Sequence, residues 1–222
     1  MVESRAKLLT AYQNAAYAAD YRAFLDEITG VLKSRGVADG EPFMTEVAKG
    51  LAKLMAYKDE YEVGRLYSDP AFLEGLRDQF SGNPKLKINL GSPLISWRKD
   101  AKTGRPQKVA IPGWLALPMF RLLAKLKGLR GTAFDPLGWQ ADRRLERALI
   151  GEYRDLVREV AAKVTPANLH TAIELVAAAD LIAGYGPVKE AGVEAYRARV
   201  AELLPKLAET KGADTAEQPV PA

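Results

Sequence analysis

Apolar side chains at spacings of three and four mark the first helix. Phe24, Leu25, Ile28, Val31 and Leu32 recur within residues 3–33, with alanine frequent upstream, and Gly36 and Gly40 end the run. A second helical pattern opens near Pro42, where proline suits a first turn, and carries Val47, Leu51, Leu54, Met55 and Tyr61 to about Tyr67. Ser68-Asp69-Pro70 then reads as a cap with proline at the first helical position, predicting a short helix to about Phe80. Beyond Gly82-Asn83-Pro84 the period changes to two: Leu86, Ile88 and Leu90 alternate with Lys87 and Asn89, as in a half-buried strand. Leu94-Ile95-Ser96-Trp97 and Val109-Ala110-Ile111 flank a polar segment ending in Gly104, which predicts a β-hairpin with a basic, mobile tip.

Helical spacing returns over residues 115–127, with Leu122, Leu123 and Leu126 as the expected buried side and Gly128 as the expected C-terminal cap. Asp135-Pro136-Leu137-Gly138 has the composition of a type I turn. A long helix follows over about 140–163, its stripe made by Leu145, Leu149, Leu156, Val160 and Val164. Thr165-Pro166 caps another to about Ile182, and Gly184-Tyr185-Gly186-Pro187 precedes a last helix to about Leu207. The fold class expected is therefore mainly α: a bundle of about six to seven helices with a small antiparallel β-hairpin insert at about 86–111. The organisation expected is one helical domain over 1–209, its basic insert at about 85–113, followed by a disordered polar tail over 210–222.

Composition narrows the chemistry. The chain has 222 residues, 48% hydrophobic and 27% charged, which is enough for a real core. With no cysteine, it has no disulfide, thiolate zinc site, cysteine nucleophile or cysteine-ligated iron–sulfur cluster of its own. His170 is the single histidine, so a multi-histidine metal site is excluded. No Gly-Lys-Ser or Gly-Lys-Thr phosphate loop occurs, and Gly184-Tyr185-Gly186 has Lys189 where a dinucleotide loop needs its third glycine. Neither a signal-peptide pattern nor an apolar run of membrane-spanning length occurs, so a soluble cytoplasmic protein is expected, without a membrane partner.

The net charge of +4 hides a strong asymmetry. Residues 85–131 hold eleven basic side chains against the single acid Asp100, a surplus of +10 that leaves −6 for the rest of the chain. Such an insert suits an anionic partner. Within the second predicted helix, Lys58-Asp59-Glu60-Tyr61-Glu62-Val63-Gly64-Arg65 sets Lys58, Glu62 and Arg65 on one face, with Tyr57 and Tyr61 on another. Its plain reading is a solvated salt-bridge face; its functional reading is that Lys58 and Arg65 are held by Asp59, Glu60 and Glu62 to meet a partner or an anionic ligand. Lys127 and Arg130, beside Gly128 and Gly131, complement a helix terminus and also suit close approach of a phosphate. Although Trp97 would stack a base, no nucleic-acid signature accompanies it, and nucleic acid is not favoured.

Four stretches carry a resemblance: Leu8-Leu9-Thr10-Ala11-Tyr12-Gln13-Asn14-Ala15-Ala16-Tyr17-Ala18, Leu54-Met55-Ala56-Tyr57-Lys58-Asp59-Glu60-Tyr61-Glu62-Val63, Leu126-Lys127-Gly128-Leu129-Arg130-Gly131-Thr132 with Phe134-Asp135-Pro136, and Val188-Lys189-Glu190-Ala191. In this order the chain resembles, over about residues 5–207, the C-terminal domain of fused indolepyruvate:ferredoxin oxidoreductases. That resemblance implies an accessory domain, not catalytic alone, working with thiamine-dependent oxidative decarboxylation of aryl-pyruvates to aryl-acetyl-CoA. Thiamine diphosphate and iron–sulfur clusters would sit only on partner domains or subunits, none on this chain, with ferredoxin or CoA as further partners. Lys58, Arg65, Lys127, Arg130 and Lys189 are then the candidate anion- or partner-binding residues, supported by Asp59, Glu60, Glu62 and Glu190; no catalytic or metal residue is assigned. Two positions depart from the expected pattern, Pro187 where histidine and Gly64 where alanine is expected. The alternative is a free-standing anion-binding module, for CoA, a nucleotide or nucleic acid, or a regulatory module descended from that domain. An independent enzyme would need an acid-base pair among groups such as Asp59, Glu60 and Glu190.

Overall fold

The computed structural model describes residues 1–82, 85–90 and 109–209. Among the described residues the chain is mainly α-helical with one two-stranded antiparallel sheet, as the periodicity predicts. The arm at 94–97 with Trp97, the hairpin tip, the cations between 98 and 108, and the tail at 210–222 lie outside the described residues. Two compact units emerge, one of Met1–Tyr57 with Gly138–Ala222, the other of Lys58–Leu137. Among the described residues, no helix is long and apolar enough to cross a membrane.

The first unit begins with α1 (Val2–Tyr12) and α2 (Ala15–Ser34), where the apolar spacing predicts one helix. Asn14 divides them: its backbone is extended and its side chain accepts a hydrogen bond from the Tyr17 N–H at 2.9 Å, making it an N-cap. Next come α3 (Glu41–Met55), with Pro42 in its first turn, and then, beyond the second unit, α7 (Ala141–Lys163), α8 (Leu169–Ala177) and α9 (Pro187–Glu209). Leu149, Leu156, Val160 and Val164 of the predicted α7 stripe are buried, and Leu145 is partly so. Tyrosine hydroxyls tie the helices together: Tyr12 donates to the Tyr57 carbonyl (2.9 Å), Tyr17 to that of Met55 (3.0 Å), Tyr21 to that of Ala48 (3.0 Å) and Tyr153 to that of Val176 (2.9 Å). Tyr12, Tyr21 and Tyr153 are buried, so each of these bonds satisfies a polar tip inside the protein. Thr165 and Asn168 form a reciprocal capping box ahead of α8.

In the second unit, α4 (Glu60–Tyr67) and α5 (Pro70–Arg77) are each opened by an aspartate. The Asp59 side chain accepts from the Glu62 N–H at 2.8 Å and that of Asp69 from the Ala71 N–H at 2.8 Å. Thus the helix predicted to run from Pro42 to Tyr67 is two: α3 ends at Met55, Asp59 opens α4, and residues 56–59 separate them. Strands β1 (Lys87–Leu90) and β2 (Val109–Pro112) pair with Ile88 opposite Ile111, so the described partner of 109–111 is 87–90. Helix α6 (Gly113–Lys125) follows and passes into a 3₁₀ turn at Leu126–Leu129.

The face that helix α6 buries shares only Leu123, partly buried against this cluster, with the expected one. Ala116 and Phe120 are buried against Ile88, with Tyr67 stacked on Phe120 at 5.5 Å, whereas Leu122 is 58% and Leu126 38% exposed. Apolar residues occur on every side of the helix, so spacing alone leaves its inner face undetermined. Gly128 is not the helix cap: it lies within the 3₁₀ turn, and the left-handed conformation falls on Gly131 at φ 74°. Helices α4 and α6 approach closely, because a Cβ on Gly64 would stand 2.8 Å from both the Leu123 Cβ and the Phe120 carbonyl oxygen.

Candidate functional site

The densest charged stretch becomes the centre of the second unit. Because α4 starts at Glu60, Tyr57 and Lys58 precede it, and the helical face that would align them with Tyr61 and Glu62 does not form. Asp59 instead turns inward. Its carboxylate caps α4 and accepts two hydrogen bonds from Arg130, one from Nε at 2.5 Å and one from Nη2 at 2.9 Å. Both side chains are 3% exposed, so this is a buried, bidentate pair joining residues 71 apart in sequence. The Arg130 guanidinium also lies 5.6 Å from the centre of the Tyr61 ring, within range of a cation–π contact.

Asp135 supplies a second buried carboxylate. It accepts from the Tyr61 hydroxyl at 2.8 Å, from the Gly131 N–H at 2.8 Å and from the Leu137 N–H at 3.1 Å. The predicted turn at 135–138 is therefore held by its first side chain, which also ties it to α4. Burial first, and then the hydrogen bond to Asp135, push the Tyr61 phenol well above the usual tyrosine range. Glu62, also buried, takes a bidentate bond from Arg65 at 2.8 and 2.6 Å. The Lys127 ammonium titrates below its ordinary value, chiefly through burial and then through repulsion by Arg65 and Arg130.

Of the predicted site residues, the structure gathers Asp59, Glu62, Arg65, Lys127 and Arg130 in this unit. Lys58 is exposed and Glu60, at the first turn of α4, is half-buried. Arg130, read from sequence as a cation for a phosphate or partner, is 4% exposed and committed to Asp59. Lys189 belongs to the other unit, where its ammonium bonds Glu146 at 2.5 Å; Arg143 bonds the same buried carboxylate, and Glu190 is exposed. Pro187, the other departure from the expected pattern, takes the first position of α9, where a missing N–H costs nothing. His170 is exposed on α8.

Sequence reasoning missed Tyr61, Asp135 and Glu146. Only Asp135 carried a local signal, as the first residue of a turn; the other two look like ordinary helix positions. A cleft of about 330 Å³ opens nearby, lined by Tyr67, Phe72, Leu76, Leu86 and Ile88 with Lys87 and Asn89. Among the described residues, no group of three or more His, Cys, Asp or Glu side chains is placed to hold a metal ion.

Chemically, this arrangement matches cations to carboxylates and holds α4, the 3₁₀ turn and the 131–137 segment together. It also has a consequence at alkaline pH. A tyrosine raised in the folded state binds its proton more tightly there, so stability is full below the unfolded value of about 10 and falls as pH rises beyond it. Tyr61, Tyr153 and Tyr196 are all raised, in each case mainly by burial. Thermal unfolding midpoints should therefore drop from about pH 10 upward, and Tyr61→Phe should flatten part of that slope. A midpoint equally flat in both proteins to about pH 11 would contradict the assignment.

A family model described as a family of unknown function (DUF6537) matches residues 1–202. No curated protein and no solved structure matches the chain.

Proposed function

The chain belongs to the family DUF6537, and from that premise we propose that it is a helical accessory domain that docks on the catalytic parts of a thiamine-dependent 2-oxoacid:ferredoxin oxidoreductase. The carrying observation is the buried Asp59–Arg130 pair. It links two of the four stretches on which the resemblance to indolepyruvate:ferredoxin oxidoreductases rests, 54–63 and 126–136, and the Tyr61–Asp135 bond links them again. The other two stretches also sit at tertiary junctions. Tyr12 and Tyr17 of the first bond the carbonyls of Tyr57 and Met55, and Lys189 of the last bonds Glu146. Residues of this kind act on the scaffold, holding helices in register and leaving outer surfaces for a partner.

In this reading the decarboxylation chemistry, with its thiamine diphosphate and clusters, belongs to the partner. This chain contributes a helical platform for it. The test is co-expression with the thiamine- and cluster-bearing subunits, followed by size exclusion monitored for protein and for cluster absorbance. Stoichiometric co-elution is expected. Separate elution at both low and high salt would overturn the proposal.

A further inference from the structure

Helix α6 carries an outer face that is left exposed among the described residues. Trp114 is 77% exposed, Leu115 53% and Leu122 58%, while the opposite face buries Ala116 and Phe120 at 0% and 1%. Trp114, Pro118, Arg121, Leu122 and Lys125 recur at spacings of three and four, which places them along one side of the helix, and all are exposed. Exposed apolar side chains clustered beside cations are the anatomy of a binding surface, with a large aromatic side chain as its anchor.

Charge identifies the occupant. Residues 113–131 contain Arg121, Lys125, Lys127 and Arg130 and no acid. Arg130 is matched internally by Asp59, and the exposed Arg121 and Lys125 flank the apolar strip. We infer that the outer face of α6 docks a protein surface with an apolar centre rimmed by Asp and Glu side chains, which supplies the missing negative charge. An anionic bilayer would favour a helix with more cations on its polar side than the two found here.

The inference rests on the accessory-domain reading for the identity of the partner, and its test separates the two. Affinity of the full chain for the catalytic subunits is measured at about 50 mM and about 500 mM salt, on either side of strong screening. Trp114→Ala should weaken binding about tenfold or more, as expected for a central aromatic anchor. The Arg121→Glu, Lys125→Glu double variant should weaken it comparably at low salt, with a smaller difference at high salt. Urea midpoints of these variants should match the parent, since the altered side chains are exposed. Binding by the parent that neither variant alters would overturn the inference while leaving the accessory reading standing; no binding by the parent would overturn that reading itself. Sedimentation with phosphatidylserine vesicles that depends on Trp114, with no effect of Trp114 on subunit binding, would assign the face to a membrane and overturn the inference.

Discussion

Replacing Arg130 with alanine should remove about 3–5 kcal/mol of stability, the scale expected when one partner of a buried ion pair is deleted. The loss arises less from attraction given up than from the charge left behind. Asp59, 3% exposed, would keep a carboxylate whose second oxygen faces a cavity instead of Nε. The Arg130 stacking on Tyr61 would go with it. Arg130→Lys should recover little, because an ammonium cannot reproduce the two parallel bonds of a guanidinium. Asp59→Asn keeps an N-cap acceptor for Glu62 but takes the carboxylate away from the buried Arg130 guanidinium, so it too should be costly. Combining Asp59→Asn with Arg130→Met removes both charges and should cost clearly less than the sum of the single changes. Urea denaturation of the full chain measures this cycle. Single costs under about 1 kcal/mol, or strict additivity, would show that the pair is not the junction described. It also follows that charge reversal at Arg130, attractive from sequence as a probe of partner binding, would test folding instead.

Gly64→Ala should destabilise the chain by about 1–3 kcal/mol, although alanine is the better helix former by roughly 1 kcal/mol. The sign is decided by what the new methyl meets. Leu123 Cβ and the Phe120 carbonyl oxygen, both 2.8 Å from its position, are not flexible side-chain ends, so α4 and α6 must move apart. That separation would loosen the packing around Phe120 and Tyr67. Gly151 in α7 and Gly75 in α5 provide the contrast, since a Cβ on either meets nothing within 4 Å. Alanine at those positions should stabilise by about 0.5–1 kcal/mol. Thermal unfolding of the three variants decides the matter: a Gly64→Ala protein as stable as Gly151→Ala would mean that α4 and α6 have room to spare. The departure from the alanine expected at this position by family resemblance thus has a steric counterpart in the structure.

Local signals were legible where the responsible contacts are local. The Glu62–Arg65 pair at a spacing of three, the Asp69-Pro70 helix start, the Thr165-Pro166 cap and the alternation around Ile88 all follow from neighbours in sequence. Breaks at Asn14 and Asp59 were hidden because apolar spacing continues on both sides of them; the capping bonds that open α2 and α4 leave no trace in hydropathy. On α6, Trp114, Leu115, Met119, Phe120, Leu122 and Leu123 surround the helix, and only packing against Ile88 and Tyr67 selects its inner face. The pairings of Asp59 with Arg130 and of Tyr61 with Asp135 span 71 and 74 residues, a distance over which one sequence offers no pairing signal. Nor does a linker mark the two units: the chain crosses at 57/58, at the start of the charged motif, and at 137/138, inside a turn.

The accessory role itself is tested most directly by the rate at which the thiamine- and cluster-bearing parts reduce ferredoxin with an aryl-pyruvate, measured with and without this chain. The account predicts a rate that rises on addition of the chain and saturates at one chain per catalytic unit, with Trp114→Ala requiring a higher concentration to reach the same plateau. A rate indifferent to the chain, with no complex formed, would contradict it.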